Sequence, residues 1–243
     1  MARAGLKNLI GRWIKSELRE SKARGIVFGL SGGIDSSVVA ALLKEALGAK
    51  RVLALLLPCH SHPGDSEDAM RVARQLGLQT KTIDLTKPYD ALVSILPPGR
   101  KLALANLRPR LRMMVLYYFA NKLNYLVCGT GNKSELMAGY FTKYGDGGVD
   151  ILPLADVYKK EVRRLAEELH IPKRIIDKPP TAGLWPGQTD EGEMGIMYDE
   201  LDDILQRIAR RHRQAQPQAK VRIVKDKIKA SEHKRQLPKI FHV

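Results

Sequence analysis

The sequence predicts an α/β protein in which an open parallel sheet carries helices on both faces, followed by a helical C-terminal extension. Short apolar runs of strand type alternate with segments of helical periodicity over the first two thirds of the chain, an order that favours parallel strands joined by helices. A glycine-rich turn separates the first such run from the helix after it. Beyond residue 195 only helical patterns remain.

The individual elements follow from hydrophobic spacing and from glycine boundaries. Four short runs predict strands, at 25–30, 51–57, 81–85 and 125–129. Seven segments predict helices, at 6–20, 38–47, 65–77, 103–123, 156–170, 196–210 and 221–230. Segments 141–148 and 178–187 are too rich in glycine and proline for regular structure, and we expect loops there.

With no internal repeat and no low-complexity linker, we expect one domain over residues 1–243. It would comprise the N-terminal helix 6–20, an α/β core at 25–175, and loops with a basic helical region at 176–243.

Composition excludes several classes of protein. The chain has 243 residues, of which 44% are hydrophobic and 28% charged, as in globular proteins rather than disordered or fibrous ones. The longest apolar run, 113–120, is far shorter than the roughly 18 residues of a membrane helix. The N-terminus has no apolar signal core, and Cys59 and Cys128 form no CxxC pair. A cytoplasmic location is the expectation.

Positive charge is concentrated at the C-terminal end. The net charge is +15, and residues 207–243 hold twelve Lys and Arg against Asp226 and Glu232. Such a region suits a polyphosphate ligand, RNA or a membrane surface, and it equally suits a solvated helix.

The glycine turn is the segment that points to chemistry. Ser31-Gly-Gly-Ile-Asp-Ser-Ser37 follows a strand and opens a helix, where backbone N–H groups and the positive helix end attract phosphate. Asp35 is out of place beside phosphate unless it holds a cation, and Mg²⁺ is commonly held by one or two carboxylates together with phosphate oxygens. The alternative is a tight turn in which Asp35 caps the helix.

The string Ser31-Gly-Gly-Ile-Asp-Ser36 resembles the SGGxDS loop of the ATP pyrophosphatases, which cleave ATP between its α- and β-phosphates to adenylate a substrate. Within that group the chain is similar to NAD synthetases in three further stretches: 129–135 (GTGNKSE), 140–154 (YFTKYGDGGVDILPL) and 232–235 (EHKR). The resemblance covers nearly the whole chain. It implies a Rossmann-like fold of the ATP-pyrophosphatase type and, because no amidase domain accompanies it, the ammonia-dependent form.

The resemblance also implies site residues. Asp35 and Glu135 would hold Mg²⁺, and Ser31, Asp35 and Lys159 would serve catalysis. Positions matching ATP contacts are Gly29, Leu30, Ser31, Gly32, Gly33, Ile34, Asp35, Ser36, Thr130, Lys159 and Thr181. Positions matching contacts to deamido-NAD⁺ are Arg110, Lys143, Asp150, His233 and Lys234.

Taken singly, several of these residues have a plainer interpretation. Glu135 alone is an acid at a helix start, and Lys159 alone is a surface lysine. Arg110 could pair with an acidic neighbour, and His233 could be packed or solvated.

The implied reaction joins ATP, deamido-NAD⁺ and ammonia. An acyl-adenylate of the nicotinate carboxylate would form first, and ammonia would then give NAD⁺, AMP and pyrophosphate. The resemblance implies a homodimer with substrate at the subunit interface, and segment 103–123 is apolar enough to supply one.

Two other functions share the glycine turn. A tRNA-modifying ATP pyrophosphatase would use the basic end for RNA, although thiolating members rely on reactive cysteine pairs that this chain lacks. A nucleotide-binding module without catalysis would leave Glu135 and the stretches 141–148 (FTKYGDGG) and 232–235 (EHKR) unexplained.

The loop Cys59-His60-Ser61-His62 is a dense group of residues that can bind zinc or copper, without a fourth ligand in view.

Overall fold

A four-stranded parallel sheet forms the centre of the computed structural model, which describes residues 5–183, 185, 187–210 and 218–241. The strands are β1 (Gly25–Gly29), β2 (Val52–Leu56), β3 (Gln79–Thr82) and β4 (Tyr125–Cys128). Their order across the sheet is β3-β2-β1-β4, and every neighbouring pair is parallel. An isolated parallel bridge joins Cys128 to Ile151 beyond β4.

Twelve α-helices are present in the described residues, and those after β4 have no further strand between them. They are α1 (Leu6–Glu20), α2 (Ile34–Leu47), α3 (Pro63–Leu76), α4 (Thr86–Ser94), α5 (Lys101–Ala105), α6 (Leu107–Leu123), α7 (Lys133–Ala138), α8 (Lys159–Glu168), α9 (Lys173–Ile176), α10 (Asp190–Met194), α11 (Tyr198–Ala209) and α12 (Gln218–Ala230).

Both faces of the sheet are covered, because its strands alternate their side chains between two cores. Ile26 and Phe28 of β1 pack into a large core with α1, α2, α3 and α8, whereas Val27 packs on the opposite face with α4 and α6. The predicted fold class is therefore confirmed.

The last two helices form a third core away from the sheet. Tyr198, Leu201 and Leu205 on one face of α11 pack together with Val224 of α12, and α11 lies against α7 and α8. The predicted helical C-terminal extension is thus present. In the described part of the chain no helix is long and apolar enough to cross a membrane.

Several predicted boundaries were wrong for identifiable reasons. Helix α2 begins at Ile34 rather than at residue 38, because Gly33 is already its extended N-cap. Strand β3 covers 79–82 rather than 81–85; as a largely exposed edge strand it pairs through its backbone and lacks an apolar signal. The expected helix 103–123 is divided at Asn106, because Pro109 has no N–H to donate to the Ala105 carbonyl. Asn106 Oδ1 accepts a hydrogen bond from Thr142 Oγ1 at 2.7 Å.

Helices α4, α7, α9 and α10 were not predicted. The predicted loop at 141–148 is confirmed as a series of turns. Residues 184 and 186 of the expected loop 178–187, and residues 211–217 and 242–243 of the basic C-terminal region, lie outside the described residues.

Candidate active site

The candidate site lies at the point where the strand order reverses. β1 and β4 are neighbours in the sheet, but β2 follows β1 in sequence, so the turns after β1 and β4 separate and leave a crevice at their carboxyl ends. A cleft of about 430 Å³ opens there, and the glycine turn after β1 and Gly129-Thr130 after β4 both line it. Ligands of open α/β sheets bind at this place.

The glycine turn is held by its own hydroxyl groups. Ser31 Oγ lies 3.0 Å from Ser36 Oγ and accepts a hydrogen bond from the backbone N–H of Gly33 at 3.2 Å. Ser36 Oγ in turn donates to the Gly33 carbonyl at 3.0 Å. The turn therefore presents a fixed start of α2 to the cleft.

Gly32 lets this turn approach helix α3 closely. Its φ is +80°, and an added Cβ would lie 2.3 Å from the Asp65 carbonyl oxygen. Only glycine fits that conformation and that space.

Three charged side chains meet beside the turn. The ammonium of Lys159 forms a short ion pair with Asp35 Oδ2 and lies 3.1 Å from Glu135 Oε1. Asn132 Nδ2 donates to the other oxygen of Asp35 at 2.8 Å. The Lys159 side chain is 2% exposed, and its buried charge is paired with the two carboxylates. Lys159 is therefore a buried ion-pair member, and the plainer interpretation of a surface lysine was wrong.

Burial shifts the pKa values of this group. It raises the pKa of Glu135 to about 7, against the opposite effect of the Lys159 charge, and Asp35 adds to the increase. For Lys159, burial lowers the pKa, but the two carboxylates outweigh it and hold the pKa above the usual lysine value. Lys159 consequently stays protonated at neutral pH.

Two further residues behind this group were missed by sequence reasoning. Tyr198 is buried, and its hydroxyl donates to Asp190 Oδ2 at 3.0 Å and lies 3.3 Å from Glu135 Oε1. Asp190 is 5% exposed and lines the cleft. No sequence pattern near residue 190 indicates a site, because Asp190 is brought near Glu135 only by the packing of α10 and α11.

Asn132 was missed as well, although a signal for it exists. It is fully buried and caps α7: its side chain accepts from the Glu135 N–H at 3.0 Å, and the Glu135 carboxylate accepts from the Asn132 N–H. This capping box is readable in the sequence as Asn-x-x-Glu, and it fixes the direction of the Glu135 carboxylate.

The residues predicted to contact ATP come together. All of them line the cleft except Gly32, which supports the turn from behind. The lining members are Gly29, Leu30, Ser31, Gly33, Ile34, Asp35, Ser36, Thr130, Lys159 and Thr181.

The residues predicted to contact deamido-NAD⁺ are divided. Lys234 lines the cleft and donates to the carbonyls of Gly139 and Phe141 at 2.7 and 2.8 Å. Beside the cleft, Arg110 reaches the Lys143 carbonyl at 3.4 Å, and Lys143 Nζ donates to the His233 carbonyl at 2.5 Å.

Asp150 stands apart from this basic group. It accepts from the Tyr117 hydroxyl at 2.9 Å and from the Val127 N–H at 2.7 Å. Arg110, Lys143, Asp150 and His233 are therefore near the cleft but do not line it within one chain.

The Cys59-His60-Ser61-His62 loop does not converge on a metal position. The Cys59 thiol is buried and faces the Leu85 carbonyl at 3.6 Å, and His60 Nε2 pairs with Asp90 at 2.7 Å. His62 Nδ1 accepts from the Gly64 N–H at the start of α3. Among the residues that the structure describes, no three potential Cys, His, Asp or Glu ligands cluster.

Comparison with known proteins places the chain among relatives of one kind. A family model described as NAD synthase matches residues 6–238. The chain is 50% identical over 233 residues to an NH(3)-dependent NAD(+) synthetase of Archaeoglobus fulgidus, covering 95% of this chain and 94% of that protein.

Solved structures agree in fold over the full length. An NMN synthetase from Francisella tularensis superposes with a TM-score of 0.91 at 37% identity, and each chain is covered completely. An NH3-dependent NAD synthetase from Campylobacter jejuni, in complex with nitrate, gives 0.86 at 30% identity, again with complete coverage.

These findings confirm the sequence-based prediction of an ammonia-dependent NAD⁺ synthetase and hence of a ligase that forms a carbon–nitrogen bond. With its family model matched over nearly all of its length, the chain belongs to the NAD synthase family.

Proposed function

We propose that the chain uses ATP to adenylate the nicotinate carboxylate of deamido-NAD⁺ and then amidates it with ammonia. The observation that carries this proposal is the buried group of Asp35, Lys159 and Glu135 beside the glycine turn. It joins a phosphate-binding turn to two carboxylates and a fixed positive charge, which is what a reaction at a phosphorus atom requires.

For ATP, the glycine turn supplies the phosphate contacts. Ser31, Gly33 and Ser36 of the turn line the cleft together with Thr130 and Lys159. Thr181 lines the cleft from the segment after α9. We assign the triphosphate to this end of the cleft.

For Mg²⁺, the donor set fits. Asp35 and Glu135 lie close together, since both contact the Lys159 ammonium, and both line the cleft, where phosphate oxygens could share a cation with them. Mg²⁺ prefers one or two carboxylates with phosphate oxygens and water completing its shell. When bound, it would offset negative charge on the pyrophosphate leaving group.

The chain's own residues then act by positioning and charge. The nicotinate carboxylate oxygen attacks the α-phosphorus of ATP, and the bond to the bridging oxygen of pyrophosphate breaks. Lys159, kept protonated by its neighbours, stabilises the negative charge that develops on the phosphate oxygens. Ammonia then attacks the activated carbonyl carbon, AMP departs, and a proton is released to solvent.

The dinucleotide site extends to the basic group beside the cleft. Arg110, Lys143 and Lys234 place positive charge next to the ATP site, and the His233 carbonyl holds the Lys143 ammonium there. A molecule with two phosphates and two nucleosides is longer than ATP alone, so contacts outside the cleft are expected for it.

The exposed side of helix α6 supports a homodimer, in which a second subunit would complete the dinucleotide site. Met114 and Tyr118 on its outer side are 61% and 58% exposed, an unusual surface for a helix rich in Leu, Val and aromatic residues. A second copy covering α6 would also lie next to Arg110 and Asp150 and could complete their site. We further propose that the helical C-terminal region forms one domain with the sheet. We also propose that the enzyme is cytoplasmic, because its two cysteines are buried and free rather than joined in a disulfide.

A second substrate is favoured by one observation. The Francisella tularensis structure with a TM-score of 0.91 is named an NMN synthetase. The corresponding reaction here would amidate nicotinate mononucleotide, a substrate that lacks the adenylate half and needs fewer contacts outside the cleft. We propose deamido-NAD⁺ as the preferred substrate because the 50% identical relative is named for NAD⁺.

The tRNA-modifying alternative has little support from the thiols. Cys59 and Cys128 are buried in cores on opposite faces of the sheet, so they cannot act as a pair. Burial also raises the pKa of each thiol, which suppresses the nucleophilic thiolate.

The test is a time-course assay with ATP, Mg²⁺ and ammonium, in which initial rates and final yields of the amide product (NAD⁺ or nicotinamide mononucleotide), AMP and pyrophosphate are measured together. Deamido-NAD⁺ and nicotinate mononucleotide are supplied in parallel reactions, each at several concentrations. Equal yields of the three products, with a higher kcat/KM for the dinucleotide, are expected. A higher kcat/KM for the mononucleotide would reverse the substrate assignment, and absence of AMP with either would refute the adenylation step.

Asp35→Ala supplies the site control in this assay. It should abolish AMP formation while leaving the circular dichroism spectrum unchanged. Asp90→Ala, which removes an exposed carboxylate paired with His60, should leave the yields unaffected. Full activity of the Asp35 variant would contradict its assignment to the metal.

A further inference from the structure

A buried Ser–Asp pair lies against the backbone of Lys159 and Lys160 at the start of helix α8. Ser134 of α7 and Asp202 of α11 both have no measurable exposure. Neither lines the cleft, and neither has a role in the reaction described above.

The pair holds the first turn of helix α8. Ser134 Oγ donates a short hydrogen bond to Asp202 Oδ1 and accepts one from the Lys159 N–H at 3.0 Å. Asp202 Oδ2 accepts from the Lys160 N–H at 2.9 Å. The first two N–H groups of α8, which have no partner within the helix, are thereby satisfied.

Burying the Asp202 carboxylate costs free energy unless hydrogen bonds and nearby positive charge compensate for its lost hydration. Asp202 hydrogen-bonds a hydroxyl and a backbone N–H, whereas the Lys160 ammonium pairs instead with the half-exposed Asp203 at 2.8 Å. The positive end of α8 offsets part of the buried charge. Burial in turn shields this interaction from water and salt, so it fixes the start of α8 firmly.

The geometry links this pair directly to the site. Lys159 is the first residue of α8, and Ser134 immediately precedes Glu135 on α7. One hydroxyl therefore ties together the two backbone segments whose side chains meet at the Lys159–Glu135 contact of 3.1 Å. A change at Ser134 or Asp202 would move the Lys159 ammonium relative to Asp35 and Glu135.

We propose that Asp202, through Ser134 and the first turn of α8, is a positioning residue that sets the Lys159 ammonium in place for ATP. The proposal rests on the ATP-binding role proposed for Lys159. Because Asp202 acts through Lys159, removing its charge matters only while the Lys159 ammonium is present.

A double-mutant cycle on ATP affinity tests this coupling. The full chain, Asp202→Asn, Lys159→Met and the double variant are titrated calorimetrically with ATP in the presence of Mg²⁺. We expect Asp202→Asn to weaken ATP binding about tenfold in the wild-type background and less than about twofold in the Lys159→Met background. Asp203→Asn, the neighbouring exposed carboxylate, should change affinity by less than about twofold.

A purely structural role gives a different pattern. Equal weakening in both backgrounds, or no weakening in either, would overturn the proposal. If Lys159→Met itself leaves ATP affinity unchanged, the assigned role of Lys159 fails, and the positioning role fails with it. Should Asp202→Asn not fold, as judged by circular dichroism, Ser134→Ala takes its place and must show the same dependence on Lys159.

Discussion

Alanine at Gly32 should destabilise the whole protein, although the change adds only one methyl group. The φ of +80° lies in the left-handed region, where an L side chain costs about 1–2 kcal/mol. The new Cβ would lie 2.3 Å from the Asp65 carbonyl oxygen and 3.1 Å from the Ala69 nitrogen, both backbone atoms that cannot rotate away. Helix α3 must then move from the turn, and such overpacking costs about 1–3 kcal/mol.

The free energy of unfolding should accordingly fall by about 2–5 kcal/mol, measured by urea titration with the m-value held as a check. Gly29→Ala is the matched control, because no atom lies within 4 Å of its added Cβ. It should change the unfolding free energy by less than about 1 kcal/mol. A loss below about 1 kcal/mol for Gly32→Ala would show that the turn and α3 yield easily, and would refute this account of the glycine.

The remaining predictions concern the thiols, the outer helix and the core. Cys59 and Cys128 should not react with an aromatic disulfide reagent in the native protein and should both react in denaturant; fast native labelling of either would contradict their burial. Met114→Glu on α6 should convert the proposed dimer to monomers in sedimentation velocity, whereas Lys44→Glu on the other side of the sheet should not; an unchanged dimer would move the interface elsewhere. Leu43→Ala in α2 should lower the unfolding free energy by about 2–5 kcal/mol, since its side chain is fully buried, and a loss under about 1 kcal/mol would mean that the site collapses around the missing atoms.

The sequence was sufficient for those parts of the fold whose side chains face a core. Residues 26–28 were predicted as a strand from an unbroken apolar run, and residues 6–20 as a helix from their hydrophobic period; burial sets both patterns. Strand β3 was misplaced since its residues are mostly exposed and its position depends on backbone pairing with β2. For the division of the helix at Asn106 a local signal existed and was missed, since Pro109 has no N–H to donate to the carbonyl of Ala105.

Site residues were predicted when they belong to a short sequence pattern and were missed when only tertiary packing brings them together. The glycine turn and the Asn132–Glu135 capping box are local patterns, and both are readable within a few residues. Tyr198 and Asp190 are brought to Glu135 only by the packing of α10 and α11, so no short sequence pattern predicts them. The division of the predicted dinucleotide contacts between the cleft and its rim is likewise a property of tertiary structure.

The assembly of the site from distant chain segments links it to the folding of the entire molecule. Asp35 contacts Asn132, 97 positions further on, and Lys159, 124 positions further on. A chain that ends before β4 would keep the whole glycine turn and lack the charges that make it useful. No partly folded form would contain all the residues that contact ATP, so ATP binding would stabilise the native state against global unfolding. The stabilisation would be about 2.7 kcal/mol at a free ATP concentration a hundred times the Kd. A nucleotide pool well above that constant would thus act as a thermodynamic stabiliser of the enzyme as well as its substrate.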